Sequence, residues 1–256
     1  MKIVSFGATD PGRKRANNED SYLVNDELRL YAVADGVGGS EAGEVASRIA
    51  VDTIAGTMPD LLGDKDRTPP AETRADDVPE LAAFRLAVQL ANRTIIEEAA
   101  KDPARTGMGT TLTALFVARK RAFLAHIGDS RAYRLRSGTL VQLTNDHSVV
   151  AEQVRSGLIT AAQARTSPYR HVITRALGID REAAPDLMEQ PLKPGDLFLL
   201  CSDGVTEMVG DGEINRILSG SAPRDAAQKL IAAANKQGGV DNITAVVVQV
   251  VVERPF

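Results

Sequence analysis

Tyr31-Ala32-Val33-Ala34-Asp35-Gly36-Val37-Gly38-Gly39 is a short apolar run that ends in an acid and then in glycines. Tyr31 to Ala34 are apolar and partly β-branched, which predicts a buried strand with Asp35 at its carboxyl end. Glycines at 36, 38 and 39 let the backbone turn tightly and bring a carbonyl or amide close to a ligand. Asp-Gly is also the commonest hairpin turn, so the stretch alone leaves a turn and a site both open. A dinucleotide loop is excluded, because the glycines miss the GxGxxG spacing and a carboxylate would face the phosphates with nothing to neutralise it.

The same device, an apolar strand running into an acid and a turn, recurs at Phe123 to Asp129, Asp196 to Gly204 and Gly238 to Asn242. Strand ends that converge would gather Asp35, Asp129, Asp203 and Asp241, and their mutual repulsion would need cations to offset it. Carboxylate and carbonyl oxygens suit magnesium or manganese. With three histidines and one cysteine in the whole chain, zinc is a poor fit.

The 256 residues suffice for one large domain with a substantial core. A net charge of -4 removes any blanket attraction for nucleic acid or an anionic membrane, so partners must be read from sites. Cys201 lies inside an apolar run, which predicts a small core residue, excludes an internal disulfide and is compatible with a reducing compartment. The opening Met1-Lys-Ile-Val-Ser-Phe-Gly lacks the apolar region of a signal peptide, and no apolar run reaches the roughly 18 residues of a membrane span. A cytoplasmic protein is expected.

In chain order, Ile3 to Thr9 reads as a strand, Arg13 to Asp20 as a charged turn and Tyr22 to Val24 as a second strand. If that turn folds against Asp35, Asp20 joins the carboxylates and Arg15 offers a planar fork for a phosphate dianion. Helical spacing marks 41–57 and 81–100, with a proline-rich and charged connection from Pro59 to Pro79. From Gly109 to Leu143 four strands separated by short polar breaks predict an antiparallel meander. Short helical pieces at 149–155 and 161–165 predict a flap over the cleft, spanning about 146–178. Leu197 to Ser202 and Ile243 to Val252 read as strands and Arg224 to Lys236 as a helix, with 253–256 left as a tail.

Six stretches, RANNEDS (15–21), VADGVGG (33–39), GTTL (109–112), IGDSRAY (127–133), LLCSDGV (199–205) and GGVDNITAVVV (238–248), together resemble the metal-dependent protein phosphatase 2C (PPM) Ser/Thr phosphatases in their compact bacterial form. The likeness covers about residues 3 to 252, and it is the ordered set that makes it specific. It implies an α+β fold, an α-β-β-α sandwich of two central antiparallel sheets flanked by helices, with the site in a cleft at one edge and a small flap. A single catalytic domain over 1–252 follows.

The resemblance further implies a two-metal centre of Asp35, the Gly36 carbonyl, Asp203 and Asp241, with Asp20 holding water beside the metals. Arg15 matches the phosphate-binding arginine, and Asp129 with Asp203 matches a third, weaker metal site. Two manganese or magnesium ions and a weaker third are therefore expected. Such a pair activates water for in-line attack without a phosphoenzyme. Many eukaryotic relatives carry a histidine directly after the Asp-Gly, where this chain has Val37, which cannot protonate a leaving alkoxide. His126, inside an apolar strand, is expected to be a core residue, and His147 and His171 belong to the flap.

The expected activity is hydrolysis of phosphoserine and phosphothreonine in proteins, reversing a bacterial Ser/Thr kinase, by a monomer that binds neither nucleic acid nor membrane. A phosphoprotein-binding pseudophosphatase is disfavoured because every metal-ligand position carries aspartate. A metal-dependent phosphodiesterase or nuclease is disfavoured by the acidic balance and the lack of a basic, aromatic groove.

Overall fold

Alternate residues along the strands pack against different partners, and this period of two builds the layers. The structure, a computed structural model, describes residues 1–38, 42–63 and 78–251. One sheet has the order β1 (Lys2–Asp10), β11 (Ile243–Val251), β10 (Leu197–Cys201), β7 (Arg131–Arg136) and β8 (Thr139–Gln142). The other runs β2 (Asp20–Asn25), β3 (Leu30–Val37), β5 (Leu112–Ala118), β6 (Arg121–Ile127) and β9 (Asp186–Pro191), with β4 (Gly109–Thr110) paired to the end of β3. Every pairing is antiparallel.

Tyr31 and Val33 of β3 point between the sheets, where they meet Leu115, Phe198, Leu200, Val246 and Val248. Leu30, Ala32 and Ala34 point the other way, onto α1 (Ala42–Gly63) and α2 (Pro79–Ala99). The first sheet likewise turns Leu197, Leu199, Ala245 and Val247 towards α6 (Asp211–Ser219) and α7 (Pro223–Lys236). Each branched side chain taken fully out of water contributes about 1.5–3 kcal/mol. Strands apolar on both faces therefore demand cover on both, and the four-layer α-β-β-α sandwich results. The flap helices α3 (Val149–Arg155) and α4 (Ala161–Thr166) lie between β8 and β9 in the chain.

Four local expectations change. The Gly109 to Leu143 segment is not one meander, because β5 and β6 pair in one sheet while β7 and β8 pair in the other. The chain crosses at Gly128, whose φ of +105° suits glycine and where a Cβ would lie 2.5 Å from the Thr111 side chain. Pro59 does not begin the connection. It sits inside α1, which continues to Gly63 because Met58 is buried and Leu61 and Leu62 pack on the core. Of the predicted connection, residues 64–77 lie outside the described residues, as do Gly39, Glu41 and the 253–256 tail.

Asp241 does not end a strand either: it follows α7 and precedes β11. Asp203 opens the short helix α5 (Asp203–Thr206), directly after β10. β9, α5 and α6 have no counterpart in the sequence reading. The β9 sequence DLMEQP shows no alternation, and its residues are half-buried at a sheet edge. Among the described residues no helix is long and apolar enough to cross a membrane.

Candidate active site

Register brings the first two acids together, since Asp20 on β2 lies directly opposite Asp35 on β3. The GTT stretch fixes Asp35 from the other side. Its amide donates to the Thr111 hydroxyl at 3.0 Å, and its carbonyl accepts from the Thr111 amide and the Thr110 hydroxyl at 2.9 Å each. Gly36 follows at a close approach, where a Cβ would lie 2.2 Å from the Gly43 carbonyl oxygen and 2.7 Å from that of Glu19. No other residue fits there without moving α1.

Asp20 is nine-tenths buried and tied at one oxygen only. Its Oδ2 accepts from Ser202 Oγ at 2.8 Å and Thr244 Oγ1 at 2.6 Å, while Oδ1 is buried with no hydrogen-bond partner. Asp203 Oδ1 is likewise buried and without a partner. Burial pushes the Asp20 carboxyl up to about 7, against the pull of its two hydroxyl donors and with help from Asp203 and Asp241. Asp203 is raised to about 6 by burial, then by Glu207 and Asp241. Asp35 is held well above the usual carboxylate range by burial and by the field of Asp20, Asp203, Asp129 and Asp241. Asp129 is raised for the same first reason, then by Asp203 and Asp146.

Five aspartates thus share one cleft, where burial and the neighbouring charges oppose the ionisation of Asp20, Asp35, Asp129 and Asp203. A donor set of carboxylates plus the Gly36 carbonyl, with two orphaned buried oxygens, fits divalent cations that prefer oxygen ligands. Each of those orphaned oxygens would otherwise carry an unrecovered desolvation cost.

Arg15 stands at the rim with its side chain half exposed, and its Nη2 donates to Asp241 Oδ2 at 2.8 Å. That contact raises the guanidinium's already high pKa. Asn242 organises the loop that carries Arg15. Its Nδ2 donates to the carbonyls of Pro11 at 3.0 Å and Asn17 at 2.9 Å, and its Oδ1 accepts from the Glu19 amide at 2.8 Å. Nothing local in DNIT marks the asparagine for that work. Ser202, Thr244, Thr110 and Thr111 were legible only as parts of motifs, without their roles as supports.

His126 is the core residue that its strand predicts. His126 is fully buried, with Nδ1 at 3.0 Å from Thr113 Oγ1 and Nε2 at 3.1 Å from the Asn145 carbonyl, and burial lowers it to about 4. His147 is also buried. Its Nδ1 accepts from the Gly128 amide at 3.1 Å and its own amide donates to the Gly128 carbonyl at 2.7 Å, which clamps the residue before Asp129. With Nδ1 an acceptor, Nε2 carries the proton towards Asp186 Oδ2 at 3.2 Å. His171 reaches across from the flap to Glu207 at 2.9 Å, beside Asp203. Glu207, one turn after Asp203, had no signal in the sequence because α5 was not foreseen.

Val37, at the residue after the Asp-Gly, is half-buried in β3 opposite Gly109.

Comparison with known proteins bears directly on this cleft. A family model described as protein phosphatase 2C matches residues 12–244. The chain is 41% identical over 250 residues to the serine/threonine protein phosphatase PstP of Mycobacterium tuberculosis, covering 97% of this chain and 45% of that protein. It therefore spans about half the length of that relative. It is 38% identical over 245 residues to the serine/threonine phosphatase Stp of Listeria welshimeri, covering 94% of this chain and 93% of the other. The crystal structure of M. tuberculosis PstP superposes with a TM-score of 0.86 at 38% identity, over 98% of this chain and 100% of that one. A structure of the PstP catalytic domain in complex with two manganese ions gives 0.83 at 39% identity, over 98% and 99%. A family model that runs from the Arg15 loop to the strand carrying Thr244 takes in every acid of the cleft, and on that extent and these identities the chain belongs to the protein phosphatase 2C family.

Proposed function

We propose that this chain is a metal-dependent phosphoprotein phosphatase that hydrolyses phosphoserine and phosphothreonine. The observation that carries the reading is the convergence of Asp20, Asp35, Asp129, Asp203 and Asp241 on one cleft, with two carboxylate oxygens buried and without donors. In this reading Asp35, the Gly36 carbonyl, Asp203 and Asp241 hold two manganese or magnesium ions. Asp129 and Asp203 hold a third more weakly. Bound there, the cations would supply the activation of water and neutralise the phosphoryl oxygens.

The chain's own residues do the rest. Asp20, fixed through Oδ2, presents Oδ1 to orient water. Arg15 exchanges Asp241 for the substrate phosphate, for which its planar fork is suited. Water attacks phosphorus directly, the bond to the seryl or threonyl oxygen breaks, and no side chain is phosphorylated. Val37 has no proton to give, so the leaving oxygen takes its proton from another source. Residues 1–252 act as one catalytic domain with the flap at 146–178. In the cell the protein opposes a Ser/Thr kinase in the cytoplasm and works as a monomer.

The test is turnover of phosphoserine and phosphothreonine peptides against a panel of nucleotide diesters, with manganese and with chelator. Peptide turnover that needs the metal is expected. Full activity in metal-free buffer sinks the two-metal reading. Binding of phosphopeptides without hydrolysis points to a pseudophosphatase, and hydrolysis confined to diesters to a phosphodiesterase.

A further inference from the structure

Asp129 and Asp203 occupy only one end of a cavity of about 990 Å³. That lies at the upper end of the roughly 300–1,000 Å³ of whole ligand sites, and a phosphorylated serine side chain fills little of it. The remainder runs between the flap helices and the segment after α5. Its flap wall is apolar at Val150, Val154 and Ala164, and Met208 faces them from the other side. His171, paired with Glu207, bridges the two walls beside Asp203.

Charge is distributed unevenly in this groove. The metal end is acidic, whereas the flap contributes Arg165 and Arg170, both exposed. Arg131 is committed to Asp146 through two parallel contacts of 2.9 and 2.6 Å. Arg155 donates to the Asp146 carbonyl. Glu207 pairs with His171 and also lies in the field of Arg170, and Asp211 on the same wall accepts from the Tyr133 hydroxyl. Among the described residues neither Arg165 nor Arg170 has a carboxylate within ion-pair distance. With cations on the aspartates the metal end is taken up by the scissile phosphate, so a second negative charge on the flank is stabilised on the flap side, where these cationic side chains lie.

Resting on the phosphatase reading above, we propose that this groove seats the polypeptide flanking the phosphorylated residue. Arg165 and Arg170 select substrates with a second anionic group, a carboxylate or another phosphate, close to the scissile phosphate. The apolar wall takes the aliphatic part of the same segment.

The experiment uses the full chain with manganese and peptides identical except for the flank: alanine, glutamate or a second phosphoserine, placed in turn on either side. Each kcat/KM is divided by that for para-nitrophenyl phosphate, an ester too small to reach the flap. The glutamate flank is expected to exceed alanine about fivefold, and the second phosphate about tenfold or more, with the difference in KM and reduced by salt. Arg165→Gln with Arg170→Gln should erase both preferences, and Arg165→Glu with Arg170→Glu should favour a lysine flank. Comparable gains from both anions identify charge alone as the signal, and a gain confined to phosphate identifies a second phosphosite. Equal ratios for all flanks in the wild type, with good turnover, overturn the proposal while leaving the phosphatase reading intact. So does a double variant that keeps the wild-type preference. Turnover of no phosphate ester overturns the phosphatase reading and this proposal together.

Discussion

Asp203 and Asp241 enter the cleft by different routes, one at the start of a helix and the other in the loop before β11, and so provide independent tests of the metal assignment. Asparagine preserves size and removes the charge. Asp203→Asn and Asp241→Asn should each leave a folded protein whose turnover falls by about 100-fold or more; a variant at wild-type rate would return that residue to a turn role. Arg15 differs because in the proposed function it binds substrate phosphate rather than cations. Its half-exposed ion pair with Asp241 adds little stability, so Arg15→Ala should leave the melting temperature almost unchanged and raise KM for phosphopeptides about tenfold. A fall in kcat alone would remove it from phosphate binding. Asp129 follows Gly128, which His147 clamps, and in the proposed function it serves only the weaker third cation. Asp129→Ala should therefore keep two tight manganese sites by calorimetry while turnover falls and the manganese requirement moves to higher concentration. Unchanged kinetics at every metal concentration would make Asp129 a turn residue, and loss of the tight sites would place it in the main pair.

Between elements, one side chain does the joining. Asn242 precedes β11 and holds the loop between β1 and β2 through three hydrogen bonds to its backbone. Asn242→Ala leaves three partly buried backbone groups without that partner, at a cost of about 2–3 kcal/mol. Denaturant unfolding should show that loss, and KM should rise with it because the Arg15 loop is released. Undiminished stability would mean that β1 and β2 position the loop unaided. The helix and strand pattern around this joint was largely visible in advance: α2, α3, α7, β5, β6 and β10 lie within a residue or two of expectation. Those elements bury a periodic face, and periodicity is local. β9 leaves no such signature because it is an edge strand without alternation, whereas α6 carries Ile214, Ile217 and Leu218 at helical spacing and was legible.

At the scale of the whole molecule, the crowded acids make stability depend on pH and metal together. Asp20 and Asp203 have folded values of about 7 and 6, both above the ordinary aspartate value of 3.8. A raised carboxyl favours the fold below its unfolded value, and that contribution is lost as pH climbs through the folded one. The metal-free protein should thus melt about 5 °C lower near pH 8.5 than near pH 6. His126, lowered by burial to about 4, works in the opposite sense and weakens the fold only on the acid side. Manganese should raise the melting temperature more at the higher pH, where the ligands are ionised without cost to the metal. An equal rise at both would mean that the acids do not bind it. The amino-acid sequence by itself determined the acids, the strand settings of Asp35 and Asp129, the strands apolar on both faces and the family motifs in order. Tertiary structure alone decided which strands pair. β6 and β7 are neighbours in the chain but belong to different sheets. Asp20 takes its donors from Ser202 and Thr244, 182 and 224 residues away. Arg15 finds Asp241 across 226. Local pattern reports which face of an element is apolar, not which distant element will cover it, and the cleft exists only where those distant choices meet.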